Sequence, residues 1–325
     1  MIFQKDILSE SLPYPLPDHL PEETAAFLDL ETKGFARKNS SIQYLGLLIK
    51  TDGYWTAFQW ILERPEDEAT MLREFLSLFE NVTCLIHYNG ISFDLPVLTR
   101  QAKKYELLLD IDHFRNLDLY RLFQPLKKLL NLTQLDQRSL ESYLFLERSN
   151  LLDNDLIMLP KLLPLYAYLD LLHGGFTVQH AEYKKDSVTV KALLHHAVPN
   201  PFSLHFDYGY LSADKTELHI LIHGISDTLK YFFPDYKNYF YLPEEDTAIH
   251  KSVSAYVDKE HRIPAKAATC YQKKSGFFLP LSNDRMQPAF SRNYKDGQWY
   301  LLCDDSFLSN PVRIHTYLLN CLQSI

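Results

Sequence analysis

Two carboxylates stand one residue apart in AAFLDLETKGF, residues 25–35. In an element of period two, Asp29 and Glu31 share a face while Leu28 and Leu30 take the other. Such a pair fits either a strand end emerging into water or a site for a cation. Asp94, in HYNGISFDLP, follows a glycine that permits a turn and opens a candidate helix. Asp186, in HAEYKKDSVTV, opens another. Four acids at element ends is the kind of oxygen set that Mg²⁺ or Mn²⁺ takes. Two such ions about 3.5–4 Å apart can activate water and stabilise both oxygens of an in-line phosphoryl displacement.

The elements that must position these acids follow from the pattern. The proline-rich SLPYPLPDHLPEE reads as part of an extended arm over residues 1–20. AAFLDL is a short buried strand, and IQYLGLLIKTDGYWTAFQWIL is a hairpin turning at Asp-Gly. EDEATMLREFLSLFE has helical spacing, with acids in its first turn. VTCLIHYNG is a strand and FDLPVLTRQAKKYE a helix. Helical periodicity runs through 118–195, including RSLESYLFLERS and EYKKDSVTVKALLHHA. The order predicts a mixed α/β layer with its site at strand ends. VPNP at 198–201 marks a boundary, giving domains of 21–197 and 198–325. In the second, an α+β domain, SLHFDYGYL and ELHILIHG predict strands, TAIHKSVSAYVDKE a helix, KAATCYQ and FFLPLS strands around a Lys-Ser-Gly turn, and VRIHTYLLNCL a closing helix.

The bulk numbers set limits. A chain of 325 residues with 46% apolar and 23% charged residues suits a folded protein of two domains. No apolar run reaches membrane-spanning length, the N-terminus lacks a signal-peptide layout, and the four scattered cysteines suit a reducing cytoplasm. Net charge is −8, with 20 basic and 27 acidic residues up to His195 and 13 and 14 after it. Any polyanion surface is therefore a local patch.

FLDLET, then NGISFD, then a late Asp resembles the three-motif pattern of the DnaQ-like (DEDD) 3′–5′ exonucleases of the ribonuclease H-like fold. The flanks, IHYNGISFDLPVLTR, NLDLYRLF and RSLESYLFLERS, are most similar to the YprB-type domain, over residues 15–195. The resemblance implies a ribonuclease H-like mixed sheet with flanking helices and two ions, Mg²⁺ or Mn²⁺, held by Asp29, Glu31, Asp94 and Asp186. It implies a nuclease acting on a single-stranded 3′ end of DNA or RNA, with Thr32 and Asn89 beside the substrate and Asn89 fixing its loop. The family's general base, a His or Tyr four or five residues before the last Asp, has no counterpart here. Those positions are Glu182 and Ala181, with Tyr183 three before and His180 six before. His180 and Tyr183 are the candidate bases: on a helix Glu182 and Tyr183 share a face with Asp186, while His180 reaches it only through a bend or a looser preceding loop.

Other features carry less. His87, His113, His195 and His196 lack partner spacing and read as structural or exposed. The aromatic run YFFPDYKNYFY (231–241), and Lys273 and Lys274 at a hairpin tip, suit either a core or contacts to single-stranded nucleic acid. Two rival readings follow: a non-catalytic nucleic-acid-binding scaffold, and an endonuclease with the same metal site. DNA against RNA, oligomeric state and protein partners are not legible.

Overall fold

The structure, a computed structural model, describes residues 1–8, 11–17, 20–33, 41–148, 154–282 and 286–322. The chain divides into two compact units, Met1–Leu169 and Asp170–Ile325, earlier than the boundary expected at 197. Ser149, the end of one expected helix, and Asp18 and His19 of the expected arm lie outside the described residues.

In the first unit, the described strands form a six-stranded mixed sheet in the order β1-β4-β3-β2-β5-β6. These are β1 (Ile2–Leu8), β2 (Ala25–Lys33), β3 (Ser41–Thr51), β4 (Tyr54–Ile61), β5 (Cys84–His87) and β6 (Arg115–Asp118). The β3–β4 hairpin turns where expected, with Asp52 and Gly53 both at positive φ (53° and 85°), the geometry that an Asp-Gly pair favours. β2 lies at the centre, antiparallel to β3 and parallel to β5.

Alternation on β2 divides its side chains between two layers. Leu28 and Leu30 join Leu45 and Leu47 of β3 in a core closed by α1 (Glu68–Leu76) and α2 (Asp94–Lys104), through Met71, Leu72, Phe75, Leu95 and Leu98. Fully burying each such side chain stabilises by about 1.5–3 kcal/mol. Phe27, Asp29 and Glu31 take the other face, paired across to Leu48, Gly46 and Tyr44. Short helices follow: α3 (Leu119–Leu122), α4 (Gln124–Leu129), α5 (Gln137–Tyr143), α6 (Asp155–Met158) and α7 (Tyr166–Leu172). α6 lies against β2 and β3.

Three expectations are corrected. Residues 2–8 of the expected arm are a strand, β1, paired with β4 along its whole length, with Phe3 against Phe58 and Trp60. The helix expected over 182–197 is a β-hairpin, β7 (Phe176–Lys184) and β8 (Ser187–Leu194). The helix expected from Thr247 is β14 (Thr247–His250) followed by 3₁₀ turns.

The second unit is strand-rich. β7 and β8 join β9 (Phe202–Phe206), β10 (Gly209–Asp214) and β11 (Glu217–His223) in one sheet. β12 (Ile225–Phe232), β16 (Tyr271–Leu281), β17 (Ala289–Phe290) and β18 (Trp299–Leu302) form a second; β13 (Tyr239–Leu242), β14 and β15 (Ile263–Pro264) form a third. α8 (Asp305–Leu308) and α9 (Pro311–Leu322) close the chain, α9 as expected. Among the described residues no helix is long and apolar enough to cross a membrane.

Deleting residues 1–8 uncovers the β4 edge. We expect roughly 1–3 kcal/mol lower stability in urea titrations and self-association by light scattering.

Candidate metal centre

Asp29 sits on β2 just past the last residue that β2 pairs with β5, Phe27. Gly46 faces it from β3, and that glycine is required. A Cβ there would stand 2.5 Å from the Tyr44 hydroxyl and 2.8 Å from Leu156 of α6. The register then slips between Glu31 and Thr32, leaving Gln43 as an extra residue on β3. The bulge re-aims the strand where Glu31 reaches the surface. Glu31, Gln43, Tyr44, Gln59 and Asn154 help to line a cleft of about 310 Å³. Thr32 is partly buried at the same strand end, and Lys33 is exposed.

Asp94 arrives from the other side of β2, at the start of α2, through the turn that follows β5. Asn89 takes a left-handed conformation (φ 59°), which asparagine tolerates better than most residues. A Cβ on Gly90 would stand 2.6 Å from the His87 ring and 2.9 Å from an Asp94 carboxylate oxygen. His87, wholly buried, accepts the Gly90 N–H at Nδ1 (3.1 Å). Burial holds its imidazole below the usual pKa against the pull of Asp118, which suits the neutral ring that this acceptor role needs. Asp118, at the end of β6, accepts the N–H groups of Asn89 (2.9 Å), Ile91 (3.4 Å) and Tyr120 (3.1 Å). The loop expected to depend on Asn89 is thus fixed by Asp118, which sequence reasoning passed over.

The electrostatics bring in an acid outside the expected set, Asp155. Burial, followed by the charges of Asp94, Asp155 and Glu31, raises the Asp29 carboxyl well above its ordinary value; Arg148 acts the other way. Although the residue is partly exposed, its Oδ2 is buried without a hydrogen-bond partner. Burial pushes Asp94 up to about 7, opposed by backbone hydrogen bonds from Leu30 and from its own N–H. Asp155 is the first residue of α6, and Asn154 caps that helix by accepting the Ile157 N–H at 3.2 Å. The signal was in the sequence: Asn-Asp ahead of Leu-Ile-Met-Leu is a helix start, submerged in a long leucine-rich run.

Tyr44 bridges the acids and the cap. Its hydroxyl donates to Gln59 Oε1 (3.0 Å) and accepts from Asn154 Nδ2 (2.8 Å). Burial and the Asp29 charge keep it protonated.

Asp186 has no place on a helix. It stands with Lys185 (φ 55°) in the tight turn between β7 and β8, exposed, in the second unit. His180 and Tyr183 are exposed on β7, which also carries the partly buried Glu182, so the helical face expected for Glu182, Tyr183 and Asp186 does not exist. Counted from Asp155, the positions four and five before are Leu151 and Asn150, outside the described residues.

Lys273 and Lys274 lie within β16 rather than at a hairpin tip, opposite Lys230 and Leu229 of β12. Lys273 is ion-paired to Asp246, which also accepts the Tyr241 and Tyr271 hydroxyls. The aromatic run packs largely on itself, with Phe233 stacked on Tyr239 at 4.6 Å and edge-on to Tyr231. His195 and His196 contact Thr177 and Asp170 (3.2 and 3.1 Å), and His113 lies edge-on to Phe114.

Whether these residues suit divalent ions rests on the orphaned Oδ2 and the mutual repulsion of oxygen donors, the donor type that hard cations take. Among the described residues no group of three or more Asp, Glu, His or Cys side chains is already gathered in ligating geometry. The donor set fits; its convergence is incomplete.

Residues 26–192, a little over half of the chain, match the RNase_H superfamily. No curated protein matches the chain. Among solved structures, exonuclease I bound to its product has a TM-score of 0.38 at 12% identity, over 54% of this chain and 59% of that one. The zinc-bound E. coli exonuclease I–single-stranded DNA complex has 0.34 at 13%, over 53% and 55%. The chain spans little more than half the length of the exonuclease I chains that it matches.

Because Asp94 binds its proton more tightly when folded, the folded state carries more protons than the unfolded one between pH 4 and about 7. Stability of the chelator-treated protein should therefore fall as pH rises through that window, by on the order of 4 kcal/mol at most for this group. Asp94→Asn should flatten the dependence in urea midpoints measured from pH 4.5 to 8. Gly90→Ala should cost at least 2 kcal/mol, because the added methyl meets both His87 and Asp94.

Proposed function

The chain belongs to the RNase_H superfamily, and from that premise we propose that it is a divalent-metal-dependent nuclease, specifically a 3′–5′ exonuclease of DNA or RNA. Its acids are Asp29, Glu31, Asp94 and Asp155, with Asp155 in the role first expected of Asp186. The observation that carries this reading is the half-buried Asp29, with one oxygen unpartnered and three other carboxylates acting on its charge. An arrangement that repels itself is retained where cations are to be held.

Asp29 and Asp94 would hold ions between β2 and α2, with Glu31 and Asp155 completing the set from the cleft side. Two bound Mg²⁺ or Mn²⁺ ions would supply Lewis-acid stabilisation of the phosphate and a more acidic water. Tyr44, held protonated, is a hydrogen-bond donor and not a base. Asp118 and His87 keep the turn before Asp94 in place. Thr32 and Asn89 border the path of a bound strand, and the second unit adds substrate or partner contacts, Lys274 among them. The four cysteines are buried thiols outside any disulfide, as expected in a reducing cytoplasm.

A second reading, a nucleic-acid-binding protein without catalysis, is favoured by one observation. Asn150 and Leu151 stand where the exonucleases carry their base, and neither takes a proton.

End-labelled single-stranded DNA and RNA, incubated with Mn²⁺, Mg²⁺ or chelator, separate the two. The expected result is metal-dependent shortening from the 3′ end, reduced roughly a hundredfold or more by Asp29→Asn and by Asp155→Asn but not by Asp186→Asn. Internal cuts would indicate an endonuclease. Binding without cleavage in any metal would leave the second reading.

A further inference from the structure

The acid set already contains a cation. Arg148 Nη2 stands 2.6 Å from Asp155 Oδ1 and 2.6 Å from Glu141 Oε1, and its Nε donates to Glu141 Oε2 at 2.9 Å. The fork on Glu141 is the two-point geometry that guanidinium favours. Glu141 is buried on α5, one turn after Gln137. Gln137 donates both to Glu141 Oε1 (3.1 Å) and to the backbone carbonyl of Asp155 (2.9 Å). The arginine side chain is only 13% exposed. One side of the guanidinium is thus anchored, and its Nη2 reaches across to the first residue of α6.

A fork to Glu141 alone would satisfy Arg148 as a structural ion pair. The additional contact places a positive charge on the one acid whose carboxylate belongs to the candidate metal set, and that charge is felt at Asp29. A guanidinium and a divalent ion compete for the same lone pairs and the same negative potential.

Resting on the nuclease reading above, we propose that Arg148 is a resident counter-cation: it neutralises Asp155 in the metal-free protein and is displaced from it when a divalent ion binds. Glu141 keeps hold of the guanidinium during the exchange, so Arg148 releases Asp155 without leaving α5. Arg138 Nη2 also stands 3.8 Å from Asp155 Oδ1 but, more exposed and more distant, is the weaker counter-charge. Metal affinity is then tuned by how strongly Glu141 competes with Asp155 for Arg148.

This predicts opposite signs for two neighbouring substitutions. Removing the counter-cation with Arg148→Gln should tighten Mn²⁺ binding about tenfold, measured by the loss of free-ion signal in electron paramagnetic resonance titrations. Glu141→Gln removes the charge that competes for Arg148, strengthens its hold on Asp155, and should weaken binding several-fold. If Arg148 only holds Asp155 in position, both substitutions weaken binding, and the proposal fails. The wild-type protein gives an independent check that does not depend on either variant folding. Under saturating Mg²⁺ the Arg148 side-chain ¹⁵N resonances should shift while the Nε–H bond to Glu141 persists; unchanged resonances would overturn the exchange. Asp29→Asn separates this failure from that of the parent reading. If the wild-type protein binds no Mn²⁺ beyond the Asp29→Asn background, the metal reading falls, and the exchange falls with it. If it binds Mn²⁺ with Arg148 unmoved, only the exchange is lost.

Discussion

The first unit is organised around a repulsion. Asp29 is carried by the central strand of the sheet, with one oxygen out of reach of water and three other acids acting on it. Like charges in a partly buried setting cost on the order of a few kcal/mol for a close pair. The opposition is met by the apolar layer on the reverse face of the same strand, where Leu28 and Leu30 are almost wholly buried. Each of those side chains contributes about 1.5–3 kcal/mol. Alternation along one strand therefore joins the cause of the strain to the means of bearing it.

The surroundings of β2 leave the acids few alternatives. Phe27 is the last β2 residue paired with β5, which frees the Leu30 N–H to bond Asp94 rather than a neighbouring strand. Two glycines do complementary work. Gly46 leaves room for the Tyr44 hydroxyl and α6, and Gly90 lets the turn pass close to His87 and Asp94. Asp118 gathers two backbone N–H groups that the turn would otherwise leave unsatisfied, besides capping α3 at Tyr120, and His87 gathers a third of the turn's. A loop fixed by so many backbone bonds holds Asp94 in place without relying on the side chain of Asn89.

Much of this was legible in the sequence because the relevant signals are short-range. The spacing of Asp29 and Glu31 gives a shared face, Asp52-Gly53 gives the hairpin, and a glycine before Asp94 gives the turn. The ribonuclease H-like fold and the mixed α/β sheet follow, together with the strand-rich second unit. The region after 176 was misread because its apolar residues satisfy two periods at once. Val188, Val190, Ala192 and Leu194 alternate as buried strand positions, yet the same stretch also offers helical spacings. Tertiary pairing with β11 decides for the strand. Asp155 was hidden for the converse reason, since leucines on both sides make a short capped helix look like the interior of a long one. Asp118, Glu141 and Arg148 carry no local pattern. They become visible only when β6, α5 and α6 are brought together.

The proposed fourth acid, Asp155 in place of Asp186, also changes what the first unit has available for proton transfer. His87 is neutral, but its Nδ1 is engaged by Gly90 and the ring is closed off from solvent. Tyr44 is held protonated by burial and by Asp29, so it donates hydrogen bonds and takes up no proton. Within that unit the described site groups that burial pushes upward from the usual carboxylate range are Asp29 and Asp94, Asp94 to about 7 in the metal-free protein. A cation of either kind, guanidinium or metal, lowers their proton affinity by the same Coulombic route. The charge state of the acid set and the position of Arg148 are therefore one coupled variable. A base placed on a separate helix would have made them two.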